Sequence, residues 1–387
     1  MDFPLSPRIR ATQTPPIPSV RRWAARYGGA AGPVLDLTQA VPGYPPHAGL
    51  LAQLAERAGD RALAGYGPID GEPALRAALA EDISGFYGAR VESADVAITS
   101  GGNLAFTMTM TVLAGAGEAV MLPAPWYFNH RMALAALGIP CVPLPCRAED
   151  GFVPDPERAA RLMGDVRAIV LVSPNNPTGA VYPPAVIARF AELARAHRAW
   201  LVLDETYRDF LAPDRSPPHA LFADPAWREN VVHLYSFSKA YCVPGHRVAA
   251  IASGPAFRAE LMKALDTMQI CAPRAAQAAL AWAVGGLRDW RAANRALMAG
   301  RAEAFRRAAA QVPGWRLDAL GAYFAYLRLP EDAPEAVATA ERLAVERGLL
   351  GLPGPFFGPG QERHLRLAFA NAEEGVIAEV PARLGPG

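Results

Sequence analysis

A chain of 387 residues with a formal net charge of +1 has room for one large core and a smaller one, and its charge balance argues against nucleic acid or an anionic membrane surface as partner. Hydrophobic residues at 51% and charged residues at 19% exclude a disordered chain, and no apolar run approaches the ~18–20 residues that span a bilayer. The start, MDFPLSPRIRATQTPP, lacks the apolar core of a secretory leader, and Cys141, Cys146, Cys242 and Cys271 show no C-x-x-C or metal spacing, so free thiols, no metal and a cytoplasmic location are expected.

Residues 1–45 are punctuated by proline and carry little period; they read as an arm that packs on a small domain or on a partner. From there to residue 286, short apolar runs alternate with helical patterns. DVAIT (95–99), EAVML (118–122), PCVPL (140–144), RAIVLVS (167–173), AWLVLD (199–204), NVVHLY (230–235) and RVAAIAS (247–253) read as strands. NLAFTMTMTVL (103–113), FNHRMALAAL (128–137) and PPAVIARFAELARAH (183–197) read as helices between them. Continuous apolar strands separated by helices predict an α/β large domain over 46–286, built on a mostly parallel seven-stranded sheet covered on both faces. From about 287 the pattern changes. A long helix over 288–311, the stretch WRLDALGAYFAYLRL (315–329), a helix over 334–348, HLRLAFA (364–370) and a last helix predict a smaller α+β domain, 287–387.

Polar residues gather at the C-terminal ends of these strands, where open α/β sheets bind ligands. In ITSGGNLAF (98–106), a strand ends at Gly101 and Gly102 and a helix starts at Asn103. Free N–H groups and the helix dipole suit an anion there, although an ordinary strand-to-helix turn has the same pattern. LVSPNNPTGAVY (171–182) is dense turn chemistry, and Asn176 fits a loop residue as well as a donor to a ligand oxygen. In WLVLDETYRDF (200–210), Asp204 closes a buried strand, with Tyr207 three residues on. A carboxylate there needs a cation or a helix N-terminus. No histidine or acid stands at metal spacing, so an organic cation is the better partner. In SFSKAYCVPGHR (236–247), Lys239 stands among Ser236, Ser238 and Arg247, all residue types that bind phosphate. Partly buried near cations, its amine would become nucleophilic; in a polar loop it would be an ordinary surface lysine. Together the four clusters describe one ligand with a phosphate, a basic ring nitrogen, a ring hydroxyl and an aldehyde. Pyridoxal 5'-phosphate (PLP) has all four.

With these stretches in this order, the chain resembles the class I and II aminotransferases of the aspartate-aminotransferase-like fold (fold type I) over nearly its whole length. LDLTQAVPGYPP (35–46) resembles the family's early strand and Gly-Pro loop, and GYGPIDGEPALR (65–76) its Y-x-x-x-x-G-x-x-x-L-R stretch. SPNNPTG, DETY and SFSKAYCVPGHR are close matches, and HLRLAFA resembles the segment that carries the substrate arginine. The resemblance implies a PLP-dependent aminotransferase that moves an amino group between an L-amino acid and a 2-oxo acid by a ping-pong route. It implies that Lys239 is the Schiff-base lysine and the acid/base for the α-proton, and that Asp204 pairs with the pyridinium nitrogen. Asn176 and Tyr207 would bond the ring hydroxyl. Gly101, Gly102 and Asn103, with Ser236, Ser238 and Arg247, would hold the phosphate. Tyr66 would reach the phosphate of a neighbouring subunit, which makes the protein a homodimer with shared sites. In PAPWYFNH (123–130), Tyr127 would stack on the ring and His130 would orient Asp204. Arg366 would clamp the substrate α-carboxylate, with Asn176 beside it. Asn103 departs from the hydroxyl or lysine of many relatives, and its backbone N–H is the contact it retains.

Two other readings share these residues. A carbon–sulfur β-lyase, or another α-carbon enzyme, would need the same cofactor contacts, because a scaffold does not fix the reaction. A non-catalytic cofactor-sensing domain of a transcription regulator would follow a winged-helix module, whereas about 45 Pro-rich residues precede the large domain here. TMQICAPRAAQ (267–277) and the arm are expected to shape the substrate side-chain pocket.

Overall fold

The computed structural model describes residues 3–385, so the outermost ends of the predicted arm (1–2) and small domain (386–387) lie outside the described residues. The arm is more ordered than its sequence suggests. It forms two helices, Pro7–Arg10 and Pro16–Ala24, each opened by proline, whose fixed φ suits a first helical turn. The second packs on the helix Ala336–Arg347, whereas the first packs on Phe128–Leu137 beside the large sheet. The arm therefore braces both parts of the chain. It ends in a short strand, β1 (Leu35–Asp36).

All seven predicted central strands form within two residues of their expected bounds: β2 (Val96–Thr99), β3 (Ala119–Ala124), β4 (Cys141–Pro145), β5 (Val166–Val172), β6 (Trp200–Asp204), β7 (Val231–Ser236) and β8 (Ala249–Ser253). They make one sheet in the order β2-β8-β7-β6-β5-β3-β4, in which only β8 runs antiparallel to its neighbours. Successive side chains of a strand point to opposite faces. Val170, Val202 and Val232 thus pack with Phe106, Leu134 and Leu261 on one face. Ile169, Leu171, Leu201 and Leu203 pack with Leu79, Ile187, Phe190 and Leu280 on the other. Burial on both faces is why these strands are apolar without alternation, and each large side chain contributes about 1.5–3 kcal/mol.

The C-terminal region has its own sheet and core. β9 (Arg316–Gly321), β10 (Phe324–Arg328), β11 (Leu349–Leu350), β12 (Leu352–Pro353) and β13 (His364–Ala368) follow in the chain. The antiparallel order is β12-β13-β10-β9, while β11 pairs in parallel with β1. Phe305, Leu327, Leu343, Leu365 and Leu367 form the core with Leu35 and Leu37 of the arm. The predicted last helix is two short ones, Glu374–Ile377 and Val380–Leu384; Pro381 has no N–H to extend the first. The long helix Arg288–Ala309 belongs to both parts. Arg291, near its start, donates to Asp82 and Asp209 at 2.8 Å each, while Phe305 lies in the C-terminal core. The loop after β5 meets the end of β9 closely. A Cβ on Gly179 (φ +78°) or on Gly321 would fall within 2.3 Å of the other's backbone, so only glycine permits the two parts to touch there.

Candidate active site

The C-terminal ends of β5, β6 and β7 open into a cavity of roughly 410 Å³, which the small sheet and the arm close from the other side. A cavity of that size suits a small organic ligand. Its lining includes Gly102, Asn103, Tyr127, His130, Asn176, Asp204, Tyr207, Ser236, Ser238, Lys239, Arg247 and Arg366, which the sequence places in six separate stretches. Gly101 lies directly behind: at φ +93°, its Cβ would stand 2.0 Å from the Arg247 guanidinium. Tyr66 is the exception. It is 81% exposed and lines no part of the cavity of its own chain.

Asp204 ends β6 and is buried. Its Oδ1 accepts from the backbone N–H of Thr206 (3.1 Å) and from the Thr206 hydroxyl (2.7 Å), while His130 Nε2 lies 3.2 Å from Oδ2. The His130 ring is itself fixed, stacked on Phe106 at 3.9 Å between centroids. Burial alone would raise the Asp204 carboxyl, but the bond and charge of His130 and the two Thr206 donors hold it below the usual carboxylate range. It is an ionised group with its lone pairs only partly used.

Ser236 caps the short helix Phe237–Ala240, accepting from the Ser238 N–H at 3.3 Å, and this helix carries Lys239. Lys239 Nζ donates to the Ala40 carbonyl. Burial pushes its amine down to about 8, and the Arg366 and Arg247 charges act in the same direction. The chain contains only two lysines among its 38 basic residues, and the other, Lys263, is exposed and paired with Glu260. A chain that otherwise uses arginine keeps a lysine where a proton must come and go, because a guanidinium cannot lose its proton.

Arg366 projects from the middle of β13 and is buried between the rings of Phe324 and Phe357, each centred 5.1 Å from its guanidinium carbon. It donates to Asn176 Oδ1 at 3.0 Å and to the Thr38 carbonyl, and its Nε is buried without a partner. Burial draws it down to about 10, still well above neutrality, so it stays a cation. Among the described residues, Lys239, Arg247 and Arg366 have no carboxylate partner, and Asp204 is the only acid in the lining. Arg366 is buried and Lys239 half-buried, whereas Arg247 stands at the exposed rim; a buried cation without a counter-ion is costly. The cavity is therefore built to receive anions at two places. The helix Gly102–Leu113 adds a third attraction, since no side chain caps its N-terminus.

These features fit PLP. The uncapped helix start, Ser236, Ser238 and Arg247 suit a phosphate; Asp204 suits a protonated ring nitrogen; the Tyr127 and Tyr207 phenols, raised by burial, remain donors. Sequence reasoning passed over several contributors. Thr206 holds Asp204 through an Asp-x-Thr turn that is visible in the sequence. The carbonyls of Thr38 and Ala40, which tether Arg366 and Lys239, leave no side-chain signal. Residues 267–277, expected at the pocket, contribute nothing to its lining within the same chain. Gln269 instead braces β2, accepting from the Ser100 N–H and donating to the Ile98 carbonyl. Asn103 does reach the cavity, with Oδ1 at 3.5 Å from the Tyr127 hydroxyl.

Comparison with known proteins shows the family. The family described as Aminotransferase class I and II matches residues 33–384, and the chain belongs to it: it is a PLP-dependent aminotransferase of fold type I. An aspartate/prephenate aminotransferase of Thermus thermophilus is 30% identical over 386 residues, covering 96% of this chain and 95% of its own. An arginine–pyruvate transaminase of Pseudomonas aeruginosa is 30% identical over 329 residues, covering 84% and 83%. The solved structure of the Thermus thermophilus aspartate aminotransferase with maleate matches at a TM-score of 0.87 and 26% identity, over 99% of each chain.

Proposed function

We propose that Lys239 is the catalytic residue, and that the cavity processes an L-amino acid and then a 2-oxo acid by a ping-pong route. The observation that carries this reading is the charge pattern: among the described residues, three cations without carboxylate partners face a cavity whose one acid is held by His130 and Thr206. When bound, PLP supplies an electron-withdrawing ring that takes up the electron pair left by the departing α-proton. Gly101, Gly102, Asn103, Ser236, Ser238 and Arg247 would hold its phosphate, Tyr127 its ring face, and Asn176 and Tyr207 its ring hydroxyl. Asp204, oriented by His130, would keep the ring nitrogen protonated. Lys239 Nζ, free base in good part near pH 8, takes the α-proton and returns it as product forms. Arg366 binds the α-carboxylate through two parallel N–H bonds, which fixes the C–H bond to be broken. In the second half the same residues act in reverse.

Borohydride treatment of the holoenzyme tests the assignment without relying on turnover. A pyridoxyl group should remain on Lys239; a label on Lys263, or none, would count against it. Arg366→Ala should lower kcat/KM for amino acids by about 10²–10³-fold, from two lost charge-assisted bonds, while an amine lacking a carboxylate should lose nothing.

The same reading divides the chain into an arm (1–45), a large cofactor domain (46–286) and a small domain (287–387), with the site between the last two. It makes the protein a homodimer in which Tyr66, exposed on its own chain, completes the partner's site. Mixing Tyr66→Phe with Lys239→Ala subunits should then restore part of the activity that each lacks, and activities that merely average would argue for independent sites. A cytoplasmic location agrees with four free cysteines, and no helix among the described residues is long and apolar enough to cross a membrane.

A further inference from the structure

We propose that Glu205 is a positioning residue that aims Asp204 and Tyr207 into the cavity from the far face of the large sheet; the inference rests on the roles given above to those two side chains and to Lys239. Glu205 follows Asp204 at the end of β6, so its side chain turns to the opposite face, the one that Leu201 and Leu203 share. There it is buried. Tyr87 donates to its Oε2, His233 Nε2 lies 3.0 Å from the same oxygen, and His219 Nε2 faces it at 3.5 Å. Burial alone would raise the carboxyl, but the two histidines hold it below the usual carboxylate range, so it is an anion. None of these four residues lines the cavity.

The Glu205 backbone ties this anchor to the site. Its N–H donates to the Leu234 carbonyl of β7 at 3.0 Å, and its own carbonyl accepts from the Arg208 N–H at 3.0 Å, closing the turn that carries Thr206 and Tyr207. Arg208 fixes the other end of the turn: it is buried, donates to Asp82 at 2.7 Å and lies 4.3 Å from the centre of the Tyr235 ring. Between these anchors, the Tyr207 phenol has no hydrogen-bond partner among the described residues, and its ring meets Tyr323 and Phe324 edge-on at 5.3 and 5.2 Å. Edge-on contacts let a ring slide, so the backbone on either side sets its direction. Stability does not account for the cluster. Among the described residues, Glu205 Oε1, His233 Nδ1 and the Nε and Nη1 of Arg208 are buried without a partner. Apolar side chains often replace buried charges at no loss of stability. What a clamped carboxylate adds is a fixed geometry for the groups it supports.

The test reads the absorbance of the PLP-loaded enzyme against pH, beside kcat, KM and urea unfolding. Bonds from Tyr207 and Asn176 would hold the ring hydroxyl oxygen as an anion, so a displaced Tyr207 should raise the midpoint pH of the absorbance change. Glu205→Met, of similar volume but without the acceptor oxygens, should raise that midpoint by about 0.5 pH unit or more and lower kcat by about 10-fold or more, with KM little changed. Glu205→Gln keeps an acceptor oxygen and should restore most of both. Tyr87→Phe removes one donor and should shift both in the same direction by less. Leu343→Ala, in the C-terminal core, should lower the urea midpoint and leave the absorbance midpoint in place. A Glu205→Met enzyme that matches wild type, or a Gln enzyme no better than the Met one, overturns the inference and leaves the role of Lys239 intact. If Glu205→Met does not fold, an unchanged absorbance midpoint in Tyr87→Phe overturns it. So does a Leu343→Ala midpoint that moves as far as that of Glu205→Met, because the readout would then report instability alone. A wild-type enzyme whose cofactor absorbance ignores pH and borohydride overturns the role of Lys239 and this inference with it.

Discussion

Lys239→Met should abolish turnover and yet stabilise the cofactor-free protein at neutral pH. The loss of activity is expected to reach about 10⁴-fold in kcat, since proton transfer and covalent attachment both depend on this amine. Arginine in its place should not rescue, because a guanidinium holds its proton. The gain in stability follows from the position of the amine. Folding lowers its pKa from 10.5 to about 8, chiefly through burial and then through the Arg366 and Arg247 charges. Below pH 8 both folded and unfolded chains carry the proton, and the native state bears the full cost of a buried cation. Between 8 and 10.5 only the unfolded chain holds it, so wild-type stability rises with pH across that window. Methionine fills the same volume and has no charge. At pH 7 it should stabilise by on the order of 2 kcal/mol, after discounting for the partial exposure of the lysine, and the advantage should fade by pH 10.5. Urea unfolding of the two apoproteins at pH 7 and pH 10 reads this directly. A Lys239→Met protein of equal or lower stability at pH 7 would show that the amine is not confined as the structure has it.

The second large effect concerns Asp204. Asp204→Asn keeps the shape of the side chain and an oxygen for the Thr206 N–H and hydroxyl, but it removes the negative charge that faces His130 Nε2 at 3.2 Å. A neutral amide cannot keep a pyridine nitrogen protonated, so the ring should lose most of its pull on the α-carbon. Loss of one preorganised electrostatic group of this kind costs about 10²–10³-fold in rate. The drop should fall on kcat, with KM little changed, because the amide leaves Arg366 and its contacts untouched. Stability gives an independent readout. The folded carboxyl lies below its ordinary range, so its contribution is present above that range and is lost as the pH falls through the folded value. The Asn variant should therefore show a flatter acid limb than wild type. A rise in KM alone, with kcat preserved, would assign Asp204 to binding rather than to catalysis.

Arg366 shows where sequence reading reaches its limit. Its segment, HLRLAFA, is recognisable, yet nothing in those letters says that the guanidinium sits between Phe324 and Phe357 or bonds to Asn176 and the Thr38 carbonyl. Its partners are 190 and 328 residues away in the chain, and backbone carbonyls carry no residue signature. The helix Pro16–Ala24 was hidden for another reason. Its prolines look like loop punctuation, and its burial depends on a helix of the C-terminal region that local periodicity cannot see. Tyr66 is legible only as a motif, since it makes no contact with the cavity of its own chain. The scarcity of lysine, two in the whole chain, was a signal in plain composition that points to position 239.

The order of letters alone determined the seven central strands and the helices between them, because doubly buried strands must be uniformly apolar and their crossovers must be amphipathic. It also determined which side chains stand at the strand ends, where a parallel sheet leaves an open mouth. Only the tertiary structure decided that three cations share one cavity with no carboxylate partner among the described residues, that a proline-opened arm helix walls it, and that the Thr38 and Ala40 carbonyls tether Arg366 and Lys239. Those facts depend on distances between segments remote in the chain, and electrostatic cost in a buried site is set by distance and solvent exclusion rather than by residue order.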